Sequence, residues 1–120
     1  MNKEAVIRQE ADRVPFTLSE NVEVGDILQY GKDLVAVAGT SGLAGETITV
    51  YVGNVVVEAV AATDKEIKVG DKLYWDHINR VLTTDADDGG DPATKYNPAG
   101  HAVTDKAANV AGTVEFLLNR

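Results

Sequence analysis

The branching of its apolar side chains narrows what this chain can fold into more than any other feature. Seventeen valines and five isoleucines stand against eight leucines and a single methionine. Two heavy atoms on Cβ restrict χ1 in a helix but pack well on a pleated surface, so the balance favours strands. Spacing agrees. Val14, Phe16 and Leu18 are separated by single residues, as are Ile48, Val50 and Val52. That period of two lines one face of a sheet. Residues 33–38 and 54–58 are almost continuously apolar and predict strands buried on both faces. Residues 112–118 read as a last strand. Helical signals are weak: residues 2–11 and the Ala-rich 102–111 are the candidates for one short helix, and neither carries a sustained stripe.

Glycine next to an acid or amide punctuates these segments, at Gly25-Asp26, Gly31-Lys32-Asp33, Gly53-Asn54, Gly70-Asp71 and Asp88-Gly89-Gly90-Asp91. Glycine supplies positive φ, and Asp or Asn bonds its own turn. The glycine run 39–45 reads as a further hairpin loop. One device recurs. Val22-Glu23-Val24-Gly25-Asp26-Ile27 aligns with Ile67-Lys68-Val69-Gly70-Asp71-Lys72, and each copy leads through a second turn to a return strand, at 34–38 and 80–84. The predicted fold is all-β: a small barrel or sandwich of short antiparallel strands, with this pseudo-repeated turn-hairpin. One domain is expected over 1–120, with residues 1–13 as an N-terminal arm or edge strand. Residues 85–100 hold Asp85, Asp87, Asp88, Asp91, Pro92 and Pro98. They predict a long solvated acidic loop that orders only against a partner or a cation.

The chain's chemistry is sparse. With 11 basic and 19 acidic side chains the net charge is −8, a poor match for polyanionic nucleic acid. No apolar run approaches a membrane span, and the first residues lack the apolar stretch of a secretion signal. Cysteine is absent, which removes thiol nucleophiles and thiolate metal sites. Ser19 and Ser41 are the only serines, and Gly39-Thr40-Ser41-Gly42 lacks the second glycine of a nucleophile elbow. No Lys-Ser or Lys-Thr follows the glycine run, so it is no phosphate loop. His77 and His101 show no paired spacing for a metal. A calcium-loop start at Asp85 fails at Gly89 and at Tyr96, where a bidentate Glu is required. The expectation is a protein that is no enzyme and uses no cofactor or metal.

Two further readings stay open. Thr104-Asp105-Lys106-Ala107 resembles the lysine hairpin tip of lipoyl and biotinyl carrier domains, although Lys106 lies far beyond the Gly70-Asp71 turn for that family. Such a carrier would be modified at Lys106. A carbohydrate-binding β domain would instead expose Trp75. Tyr74 and Trp75 are adjacent in a strand and point to opposite faces, so one belongs to the core and the other is half-exposed.

Read from end to end, the chain resembles the capsid cement, or head decoration, proteins of tailed bacteriophages. The residues that carry the likeness run in order: Ala5-Val6-Ile7-Arg8-Gln9-Glu10, Val14-Pro15-Phe16-Thr17, Val24-Gly25-Asp26, Ala44-Gly45-Glu46, Gly53-Asn54-Val55-Val56-Val57, then Val69-Gly70-Asp71-Lys72-Leu73-Tyr74-Trp75-Asp76. Thr113-Val114-Glu115-Phe116-Leu117-Leu118 completes it. The resemblance implies a non-enzymatic structural protein on the capsid exterior of the virion, added during assembly in the host cytoplasm. Its implied partners are the major capsid protein and itself, as a homotrimer, with neither nucleic acid nor membrane. Candidate contacts are Val6, Ile7 and Gln9 of the arm, Tyr74 and Trp75, and Tyr96 of the acidic loop.

Overall fold

The computed structural model describes Ala5 and residues 12–120. Their strands are β1 (Arg13–Thr17), β2 (Ile27–Tyr30), β3 (Leu34–Ala38), β4 (Thr47–Tyr51), β5 (Val56–Ala61), β6 (Lys72–Asp76), β7 (Val81–Thr83), β8 (Asn97–Ala102) and β9 (Gly112–Leu118). The described residues contain no helix. The Ala-rich 102–111 is turn and extended chain, because Asn109 at φ 61° reverses it into β9. The helix candidate at 2–11 and nearly all of the predicted arm lie outside the described residues.

Two sheets form. The first is open, in the order β1-β4-β3-β2, and the second is a closed barrel, β5-β7-β6-β8-β9. Neighbours are antiparallel except β5 and β7, which meet in parallel at Ala61 and Leu82. The recurring turn builds both sheets. At Asp26, Glu46 and Asp71 the acid's side chain accepts the N–H three residues earlier, from Glu23 (2.9 Å), Leu43 (2.6 Å) and Lys68 (2.9 Å). The intervening glycines, 25, 45 and 70, sit at φ 89°, 91° and 93°, a region open chiefly to glycine. Each then donates its N–H to a carbonyl at the end of a strand or just past it: Ala38 of β3 (2.9 Å), Leu18 directly after β1 (2.8 Å) and Ala102 of β8 (2.8 Å). Bridges pair these devices: Val22 with Gly42 in the sheet, Ile67 with Lys106 in the barrel. The two copies recognised from sequence are therefore halves of two pairs. The sheet's second copy, Gly42-Leu43-Ala44-Gly45-Glu46, was hidden by Glu for Asp and Gly for Val. The barrel's second copy has Asn109 in the glycine's place and Val110 in the acid's.

The core divides accordingly. Leu73, Trp75, Leu82, Ala99, Val114, Phe116 and Leu118 fill the barrel and reach Ile27 and Val35 of the sheet. Leu18, Val22, Ala36, Ala38, Ile48 and Val50 fill the sheet's other side. β3 is thus buried on both faces, as its apolar run predicts. Two asparagines join the layers. Asn119 Nδ2 donates to Val35 O (2.7 Å) and Val52 O (2.8 Å), and its Oδ1 accepts the Val35 N–H (3.1 Å). Asn97 Nδ2 donates to Gly31 O (3.0 Å) and Leu34 O (2.7 Å). Each amide takes the part of a missing strand neighbour.

Two expectations change. The run 54–58 is not buried on both faces: along β5, Val57 and Ala59 pack inward while Val56 and Val60 face out, more than half exposed. The acidic loop ends at Tyr96, since 97–100 belong to β8, and it orders against itself. Asp88 Oδ1 accepts the N–H groups of Gly90 and Thr94 (2.9 Å each), Tyr96 N–H donates to Ala86 O (3.0 Å), and the backbones of Asp87 and Lys95 pair in an isolated antiparallel β-bridge. The Asp87 and Asp88 carboxylates serve as turn acceptors, and Asp85 at the loop's start pairs with Lys65 Nζ (2.8 Å), which is how a strongly acidic stretch holds a shape.

Candidate functional site

β5 and β9 lie side by side along six residue pairs, with Val114, Phe116 and Leu118 turned inward. Period two therefore sends Val56, Glu58 and Val60 outward beside Leu117, Glu115 and Thr113. Val56 and Val60 are 53% and 54% exposed, Leu117 is half-buried, and Val103 continues the apolar surface where its N–H donates to Glu115 O (2.8 Å). Valines repeated on a strand's solvent face are what an adhesive surface requires. Glu58 and Glu115 are directly opposed on that face, and like charges so placed repel. An apolar stripe split by two carboxylates is complementary to an apolar partner carrying a Lys or Arg. The alternation needed to place these valines outside was masked in the sequence, where Val55-Val56-Val57 reads as unbroken.

The aromatic candidates sit deeper. Trp75 is 4% exposed, inside the barrel core, and the Arg80 guanidinium lies over its indole at 5.1 Å. Tyr74 faces the other way and is half-buried, with Lys72 Nζ 5.4 Å from its ring centre. One ring is in the core and its neighbour half-exposed, as the strand geometry predicts. An indole this enclosed offers no stacking platform, which removes the carbohydrate reading. Tyr96, 8% exposed, packs edge-on against His77 with ring centres 6.2 Å apart. Beside it Asp76 closes the turn between β6 and β7, accepting from the Ile78 N–H (3.0 Å), the Asn79 N–H (3.0 Å) and Asn79 Nδ2 (2.8 Å). Burial pushes the Asp76 carboxyl up, but those donors and the Tyr96 hydroxyl outweigh it and hold it below the usual carboxylate range. The Tyr96 phenol is pushed up, by burial first and then by the Asp76 charge.

Lys106 is 7% exposed, and its Nζ donates to the carbonyls of Thr63 (3.2 Å), Lys65 (2.8 Å) and Ala107 (2.8 Å). A lysine so enclosed cannot swing a prosthetic group at a hairpin tip, which corrects the carrier reading. No group of three or more His, Asp or Glu among the described residues is arranged to hold a metal ion. The two histidines are engaged separately, His77 with Tyr96 and His101 Nδ1 donating to Arg120 O (2.7 Å). Val6, Ile7 and Gln9 lie outside the described residues.

Residues 7–118 match the family described as phage cement protein. No curated protein and no solved structure matches the chain.

Proposed function

The chain belongs to the phage cement proteins, and from that premise we propose that it decorates the head of a tailed phage or prophage, binding the outer capsid surface and bridging capsomers. Its partners in this reading are the major capsid protein and further copies of itself, as a homotrimer. The family is structural, so its activity is adhesion. The observation that carries the contact is the outward pair Val56 and Val60 on β5. Half of each side chain is already covered, and burying the rest contributes about 1 kcal/mol apiece. Together that is about 2 kcal/mol, or roughly 30-fold in affinity at one contact. Modest contacts suffice when several copies engage one shell, because they must all be broken together.

Charge tunes the same face. Glu58 and Glu115 repel each other in the free protein, and a shell Lys or Arg between them turns that repulsion into charge-assisted bonds. The net charge of −8 keeps free copies apart until such a surface is met. Val6, Ile7 and Gln9, preceding β1, and the half-exposed Tyr74 are further contact candidates. Trp75 and Tyr96 act from beneath, by holding the barrel in shape.

Undecorated heads mixed with the protein and sedimented should take it up to saturation. The double variant Val56→Thr/Val60→Thr, which keeps the β-branch and adds no charge, should stay within a few degrees of the wild-type melting temperature and lose about tenfold in affinity. Wild-type uptake by that variant would refute the face, and failure of the wild type to saturate the heads would refute the function.

A further inference from the structure

A cleft of about 370 Å³ separates the sheet from the barrel, with Ile27, Gln29, Trp75, His77 and Arg80 in its walls and the exposed Glu20 beside them. Trp75 Nε1 and His77 Nδ1 are both buried and have no hydrogen-bond partner among the described residues. Native proteins seldom leave a buried donor unmatched, and here two unmatched atoms belong to neighbouring walls of one cleft. Over the indole lies an exposed, jointed side chain: Arg80 spends one N–H on Ile27 O (3.2 Å) and stacks on Trp75 with the rest.

The same cleft runs along a strand edge that no other described residue pairs. Among the described residues β2 ends its sheet. The Val35 N–H and C=O are both taken by the Asn119 side chain, so the Gln29–Val35 pair is not hydrogen-bonded across the strands. Antiparallel alternation then turns the backbone groups of Ile27 and Gln29 toward the open edge. Arg80 holds the Ile27 carbonyl, while no described residue takes the Gln29 N–H or C=O, which face an incoming strand.

We infer that this cleft receives one acidic residue of an extended polypeptide segment. The segment's backbone pairs with Gln29 along β2, and its carboxylate accepts from the Arg80 guanidinium. As Arg80 swings off the indole to meet it, the Trp75 N–H gains the acceptor it lacks. A cationic ligand could pair with the exposed Glu20, but Arg80 repels it and it would leave the Trp75 N–H without the acceptor it lacks. A free small anion would leave the β2 edge and most of the volume unused. Glu20 opposes a second negative charge, so the segment carries a single acid. The inference rests on the cement reading only for the source of the segment, a shell subunit.

The chain has one tryptophan, so its indole N–H gives one cross-peak in a ¹⁵N–¹H spectrum of the labelled protein. Titration with N-acetyl-Ala-Glu-Ala-amide should move that peak saturably, and the Ala-Gln-Ala peptide should not. Arg80→Gln should weaken the Glu peptide about tenfold or more and lower the melting temperature by a few degrees, since the bond to Ile27 O and the stack on Trp75 go with it. Glu20→Gln should tighten the peptide about twofold at an unchanged melting temperature. Equal shifts with both peptides would overturn the carboxylate. Equal shifts with acetate would overturn the polypeptide, and no shift with any probe would overturn the site. These outcomes are read on the free protein, so they stand or fall separately from uptake by heads.

Discussion

Replacing Gly100 by alanine should be far more damaging than the same change at a turn glycine. Gly100 lies in β8 opposite Leu118 of β9 and Leu73 of β6, beside the register shift between Leu73 and Tyr74. Its φ is 150°, and a Cβ placed there would overlap the Leu117 carbonyl oxygen and stand 3.0 Å from its carbon. Both obstacles are backbone, so no rotamer change relieves them. Relief requires β8 and β9 to part, against pairs that run from Gly100 to Ala102. The dihedral contributes about 1–3 kcal/mol, and forcing a methyl into closed packing about as much again. A total near 3–5 kcal/mol lowers the melting temperature by roughly 10–20 °C in a domain of this size. Gly70 is the control. It sits at φ 93°, but a Cβ there meets nothing within 4 Å, so Gly70→Ala carries only the dihedral, about 1–2 kcal/mol. Thermal unfolding of the two variants, followed by circular dichroism, compares them directly. If they melt within a few degrees of one another, the close approach of β8 and β9 is not what excludes a side chain at Gly100.

Two further outcomes follow from the polar framework. Because donors hold the Asp76 carboxyl below the usual range, its charged form stabilises the fold above the ordinary carboxylate pKa, and that contribution is lost as pH falls through the lower folded value. Asp76→Asn should therefore cost about 1–3 kcal/mol at pH 7, with the gap to wild type closing below about pH 4; a gap independent of pH in urea unfolding would contradict this. Asn119→Gly removes the bonds to Val35 and Val52 while tolerating the φ of 55°, and should cost about 2–3 kcal/mol. Asn119→Ala should cost about 1 kcal/mol more because it adds backbone strain, so equal denaturation midpoints for the two would show that the conformation is not demanding.

What the residues alone decided here is local. A turn such as Val69-Gly70-Asp71 is specified by atoms within four positions, because the acid bonds the N–H three residues earlier and glycine permits the φ. Its chemistry is therefore readable without any fold, and so is the strand that follows it. The degenerate copy at Asn109 escaped because its acid is gone and only a positive φ marks it. The family likeness was legible for the same reason, through the order of such turns along the chain.

Facing and partnership were decided by the tertiary structure. Val55-Val56-Val57 has one hydropathy throughout, and only the pairing of β5 with β9, more than fifty residues later, determines that Val57 packs against the core and Val56 looks outward. The cleft likewise needs Gln29 of one sheet and Trp75 of the other, brought together by barrel closure and by the side-chain amides of Asn97 and Asn119. Side chains in a turn choose among neighbours they cannot escape. A strand's two faces are equivalent until another strand, distant along the chain, takes one of them out of water.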